Sequence, residues 1–189
     1  MAQGPFLMAM NATLYSFEIQ LADVDRGVYE SLSLRVAQQP SETAEYLLTR
    51  VLAYCLEYTE GIEFSRGLAV PDEPALLVRD LTGAYQSWIE VGTPDAARLH
   101  KASKAAPRVA VYMHKDPLPL LGRLAGEKIH RMEALEIHGI DRALLAELVP
   151  LLSRRMALDI TVTDRNLYVT IGDRTCSGVV ERFGLAPAS

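Results

Sequence analysis

Apolar residues recur at every second position in some stretches of this chain and at every third or fourth in others. Thr13, Tyr15, Phe17, Ile19 and Leu21 alternate with Leu14, Ser16, Glu18 and Gln20, which predicts a strand with one core-facing side. A turn over Asp23 to Gly27 leads to a second alternation, Leu32, Leu34 and Val36, and the pair is expected to form an antiparallel hairpin. The period then lengthens. Ala44, Leu47, Leu48, Val51, Leu52, Cys55 and Leu56 share one helical face over about residues 42–59, with Ser41 as N-cap, Glu42 in the first turn and Gly61 as the stop. Ile62 and Phe64 begin a short strand, Ala75 to Val78 is too short to assign as helix or strand, and Arg79 to Gly83 carries turn residues.

From Ala84 to Val91 the pattern predicts a strand buried largely on both faces, with the acid Glu90 near its end. Gly92 breaks it, Thr93 is suited to N-cap the next helix and Pro94 to occupy its first position. That helix is basic, with Arg98, Lys101 and Lys104. Val109, Val111 and Met113 then predict a buried strand, Leu118 to Ala125 a helix, Leu135 and Ile137 a short strand, and Asp141 the cap of a helix ended by Pro150. The last third alternates through Leu158, Ile160 and Val162, then Leu167, Val169 and Ile171, then a weak strand near Val179. The order strand–helix–strand–helix–strand, with hairpins on either side, predicts an α+β (mixed α/β) fold: a central mixed sheet flanked by helices, an N-terminal hairpin and a C-terminal β-meander. One domain is expected over residues 8–185, with residues 1–7 as a disordered extension.

The chain has 189 residues, 49% hydrophobic and 23% charged, enough for a sizeable core in one domain. Its net charge of −5 counts against broad, non-specific nucleic-acid binding but leaves room for a local basic groove. No apolar run approaches the ~20 residues of a membrane helix, and the first ten residues lack the basic start and apolar core of a signal peptide. Cys55 and Cys176 stand far apart without metal-ligand spacing, and Cys55 falls on an apolar helix stripe as a buried thiol. A reducing cytoplasm suits this usage.

Phosphate loops, dinucleotide fingerprints and a GxSxG elbow are absent, and His100, His114, His130 and His138 show no paired ligand spacing. What remains is a set of acids and a lysine. If the chain reverses near Leu81 to Gly83, residues 72–75 lie across from Glu90 and Asp80 stays by the turn. At ~3.4 Å per residue this makes Asp72 the better partner for Glu90. Two carboxylates at neighbouring strand ends suit a hard cation such as Mg²⁺, with Glu45 as a third acid from the first helix and Lys101 beside a phosphate. Arg66, Arg98, Lys104 and Arg108 are available to position a substrate backbone. The competing reading pairs Glu90 with Arg98 or Lys101 in a salt bridge and makes Asp72 only a helix cap.

Several short runs carry a resemblance. Ser41-Glu42-Thr43, Ser65-Arg66-Gly67-Leu68, Asp72-Glu73-Pro74, Leu81-Thr82-Gly83, and above all Trp88-Ile89-Glu90-Val91-Gly92 with Pro94-Asp95 and a downstream Lys-Ala pair resemble the YaeQ family of bacterial proteins, over about Met8 to Leu185. That family is similar in fold to the PD-(D/E)XK nuclease superfamily. The resemblance implies Glu45 (with Glu42 as the lesser choice) as the helix acid, Asp72 in Pro71-Asp72 as the aspartate, and Glu90-Val91-Gly92 in the place of acid-x-lysine. Gly92 departs from the pattern, and Lys101 on the following helix is the candidate replacement. Two functions follow: a Mg²⁺-dependent phosphodiesterase or nuclease with Asp72, Glu90 and Lys101 catalytic, or an inactive relative that binds nucleic acid or a regulatory protein.

Overall fold

The computed structural model describes residues 12–65 and 72–185. The expected extension over residues 1–7 and the candidate Arg66 lie outside them. The first two alternations form β1 (Thr13–Asp23) and β2 (Val28–Gln38), antiparallel, with Phe17 opposite Leu34 and Ile19 opposite Leu32. Next comes α1 (Ala44–Leu56). Thr43 rather than Ser41 caps it, its hydroxyl accepting from the Tyr46 N–H at 3.1 Å, so Glu42 precedes the helix. β3 (Glu63–Phe64) pairs with β4 (Leu76–Arg79), which settles the ambiguous Ala75 to Val78 run as a strand.

The middle of the chain alternates as its pattern predicts: β5 (Tyr85–Val91), α2 (Ala96–Ala105), β6 (Arg108–Met113), α3 (Leu118–Leu124), β7 (Glu136–Ile140) and α4 (Arg142–Leu148), with β5, β6 and β7 parallel. Asp141 caps α4, its carboxylate accepting from the Ala143 N–H. Asp95, not Thr93, caps α2 and accepts from the Arg98 N–H. The meander is β8 (Arg155–Thr163), β9 (Asn166–Ile171) and β10 (Arg174–Phe183).

The expected central sheet flanked by helices, in the manner of a PD-(D/E)XK nuclease, is not the architecture found. All ten strands belong to one sheet, in the order β2-β1-β8-β9-β10-β7-β6-β5-β4-β3, and it curls until it is nearly closed. Two long-range pairings build it: β1 lies parallel to β8, with Ile19 opposite Leu158, and β10 antiparallel to β7, with Val180 opposite Ile140. The hairpin and the meander are therefore part of the wall.

The reason lies in the strands. Met156, Leu158 and Ile160 are buried while Arg155, Ala157 and Asp159 are exposed. A long sheet with one apolar face hides that face by curling around a filling. Here α1 and α4 are the filling: Leu47, Val51 and Leu52 join Leu144, Leu145 and Leu148 in one cluster with Phe17, Ile19, Ile89, Ala110 and Val169. Only β5 to β7 are covered outside as well, where Leu99, Ala102, Leu120 and Leu124 of α2 and α3 pack on Trp88, Val109, Val111 and Ile137. No helix among the described residues is long and apolar enough to cross a membrane.

Candidate functional site

β5 and β6 run parallel, so their carboxyl ends open on one edge of the sheet, the edge where ligand sites of parallel strands recur. A cavity of about 670 Å³ lies there. Its walls come from the start of α1 (Glu42, Glu45, Tyr46, Arg50), the approach to β4 (Glu73 to Ala75), the exit of β5 (Glu90 to Pro94), Arg98, and the exit of β6 (His114, Lys115).

Glu90 shares the outer face of β5 with Trp88 and is only 4% exposed. Its Oε1 accepts from Trp88 Nε1 at 2.6 Å and from Arg98 Nε at 2.7 Å. Arg98 also donates to the Glu73 carbonyl at 2.6 Å. One turn further along α2, Lys101 Nζ lies 2.5 Å from Asp72 Oδ1; both side chains are exposed, and neither is among the residues that line the cavity. The hydrogen bond and charge of Lys101 hold the Asp72 carboxyl below its usual range. The strand register agrees with the sequence argument, since Leu76 faces Ile89 and the residues just before β4 therefore come up beside Glu90. Asp80 stays in the β4–β5 turn, where its Oδ1 accepts from the Thr82 and Ala84 N–H groups. Thus Asp72 and Glu90 both meet one face of α2. Arg98 holds Glu90, as the competing salt-bridge reading has it, while Asp72 is no helix cap but the partner of Lys101.

Gly92 has φ +103°, in the positive range that side chains with a Cβ avoid. The backbone at position 92 thus favours glycine over a residue with a side chain.

Glu45 lines the cavity from the first turn of α1. Glu42 is buried, its Oε2 accepting from Arg50 Nη2 at 2.8 Å and from the Gln39 N–H at 3.3 Å. Burial raises its carboxyl and the charge of Arg50 opposes the rise. Lys104 is exposed a turn beyond Lys101 and is not among the lining residues. Arg108 is committed elsewhere: at the start of β6 it bridges Glu57, at 2.5 and 3.0 Å, and Glu136 at 2.5 Å. No three His, Cys, Asp or Glu among the described residues are grouped to hold a metal ion.

Tyr46 and Arg50 line the cavity without having stood out as site residues, and His114 lines it from the end of β6, where a strand-end histidine can face a pocket. For Arg50 the available signal was a cation on the helix with the strongest apolar stripe, eight residues after an acid. His114 stands edge-on to Tyr46, with ring centroids 5.9 Å apart, and burial together with Lys115 lowers its pKa.

The comparisons with known proteins agree with one another. The family profile described as "YaeQ protein" matches residues 8–179. The chain is 31% identical to the proteins named "Uncharacterized protein YaeQ" of Salmonella typhi and Escherichia coli (strain K12), over 164 residues, 86% of this chain and 91% of each relative. It is similar to the crystal structure of YaeQ protein from Pseudomonas syringae, with TM-score 0.83 and 32% identity over 93% of this chain and 97% of that one. The YaeQ protein from Xanthomonas axonopodis pv. citri gives TM-score 0.77 and 30% identity over 94% and 99%. From Met8 onward, then, this chain belongs to the YaeQ family.

Proposed function

We propose that the cavity is a Mg²⁺-dependent phosphodiesterase or nuclease site acting on nucleic acid, and that the site, not the sheet as a whole, shares the acid-and-lysine chemistry of the PD-(D/E)XK nucleases. The observation that carries this is the convergence of both acids on α2: Arg98 reaches Glu90, and Lys101, one turn on, reaches Asp72. Asp72 and Glu90 would offer the hard carboxylate oxygens that Mg²⁺ takes, while Glu45 faces the cavity from α1 without being grouped with them as a third ligand. A bound divalent cation would neutralise phosphate charge and activate water.

Charge balance supports a cation. Four carboxylates (Glu42, Glu45, Glu73, Glu90) line the cavity against Arg50, Arg98 and Lys115. With His114 neutral the lining is one charge negative, which repels a phosphodiester; a divalent cation reverses the sign. Arg98 and Lys101 hold the two acids in place and would be the cations nearest a phosphate bound there. Trp88 orients Glu90, and the apolar outer cluster beneath keeps that side of the carboxylate dry.

Calorimetric titration with Mg²⁺ and Mn²⁺ of the wild type and Glu90→Ala tests the reading. Heat in the wild type and its loss in the variant are expected; absence of heat in both removes the metal site. Cleavage of single-stranded, duplex and branched substrates follows, with at least a tenfold loss expected for Lys101→Ala. Gly92 and the Glu90–Arg98 pair favour a second reading, a binding module that does not cut and serves a nucleic-acid or regulatory-protein partner. Metal-dependent binding of all three substrates without cleavage selects it.

A further inference from the structure

Three buried side-chain polar atoms without a hydrogen-bond partner among the described residues, Glu42 Oε1, Arg50 Nε and His114 Nδ1, belong to residues that line this one cavity. The Glu42 and Arg50 side chains are 1% and 4% exposed. Their other atoms are well engaged: Arg50 Nη2 donates to Glu42 Oε2 at 2.8 Å and to the Ala37 carbonyl at 2.7 Å. The pair is therefore held rigidly while one acceptor and one donor are left over. Buried polar groups without partners are uncommon and costly, and three in the lining of one cavity, two of them from the salt-bridged pair on the α1 wall, mark a place that a hydrogen-bonding group completes.

We propose that this wall is a second subsite, distinct from the Asp72–Glu90 edge, and that it receives a nucleobase. A carboxylate oxygen only accepts and a guanidinium N–H only donates. Together they complement a ligand edge that offers a donor beside an acceptor without net charge, as adenine and cytosine do. The Tyr46 ring stands beside the pair, with the Arg50 guanidinium 5.6 Å from its centroid and His114 across its edge, and gives a flat face for a planar ring. A phosphate is a poor occupant, because Glu42 would repel it. The subsite deepens the reading above, on which its place in a nucleic-acid site rests: the substrate must present a base as well as a phosphodiester. Tyr46 is half-buried at the cavity wall, so part of its ring is open to the cavity.

The test uses adenosine, cytidine, deoxyribose 5-phosphate and a capped glutamine as probes of the whole protein in EDTA, followed by NMR shifts of the Tyr46 and His114 rings. Both nucleosides are expected to bind without metal, and the sugar phosphate at least tenfold more weakly. Glu42→Gln and Tyr46→Leu are each expected to weaken the nucleosides at least fivefold; if Glu42→Gln fails to fold, Tyr46→Leu decides. Nucleosides that leave both rings unmoved, while a phosphodiester binds with Mg²⁺, overturn the subsite and spare the metal site. Nucleoside binding in a protein that takes up no Mg²⁺ does the reverse. Capped glutamine that displaces adenosine at equal concentration overturns the nucleobase assignment.

Discussion

Glu90 and Gly92 show how closely single positions decide this site. Two residues apart, one is a buried carboxylate with two donors and the other a glycine at φ +103°. A side chain placed at 92 would have to leave that conformation or bear its strain. Gly92→Ala and Gly92→Lys are each expected to cost about 1–2 kcal/mol, read as a lower denaturant midpoint, with no gain of cleavage. The Gly92→Ala Cβ itself meets only Tyr46 Cε2 at 3.6 Å, so the loss comes from the backbone and not from crowding. The sequence displayed the glycine but not its conformation, since φ cannot be read from a string of residues. The choice between Arg98 and Lys101 was equally hidden: three residues apart on a helix, they share a face, and only the position of the chain before β4 assigns each its acid.

At the scale of elements, periodicity was the dependable guide. The hairpin of β1 and β2, the apolar stripe of α1 and the alternation from β5 to β7 all follow it. The ends were less legible, because Ser41 and Thr43, like Thr93 and Asp95, are competing caps within two residues. β10 was the faintest strand, and its reason is visible in Gly178. A Cβ there would fall 2.7 Å from the Cβ atoms of both Asp141 and Leu144, so the bare backbone of β10 is what lets α4 pack. Gly178→Ala must push the helix away from the strand. A destabilisation of about 1–3 kcal/mol is expected, measured by thermal melting, whereas Gly172→Ala, with nothing within 4 Å of its added Cβ, adds only the penalty of its positive φ.

For the whole molecule, the decisive facts were the pairings of β1 with β8 and of β7 with β10, each between strands far apart in sequence. Local patterns specify strands but not distant neighbours, which is why a flanked central sheet was expected and a nearly closed one is found. Where these parts meet, a polar cluster ties them. Arg165, in the β8–β9 turn, donates to the Val180 carbonyl at 2.9 Å and lies 3.1 Å from His138 Nδ1. Since Arg165 can only donate, Nδ1 accepts and the His138 proton sits on Nε2. His138 stacks on Tyr112, whose hydroxyl donates to Glu57 at the end of α1. Burial, then the charge of Arg165, depress the His138 pKa to about 4. The unfolded chain takes up this proton near pH 6.5 and the folded chain only near pH 4, so between them the unfolded state holds more protons and stability rises with pH. The contribution is on the order of 3 kcal/mol, full above about pH 6.5 and lost as pH falls toward 4. Stability curves of wild type and His138→Gln should differ in slope across that window; parallel curves would show that His138 titrates normally in the folded protein.

Trp88 is the single tryptophan of the chain, it is 2% exposed, and its indole N–H is spent on Glu90. Its emission is thus an optical gauge wired to one carboxylate, with no other indole to blur the reading. Whatever withdraws Glu90 from the ring, whether an ion, a proton or a substrate arriving at α2, should shift the fluorescence maximum without any label. Excitation at the red edge of the tryptophan band during a Mg²⁺ titration would then report occupancy at the carboxylate itself, separately from heat released anywhere else in the protein.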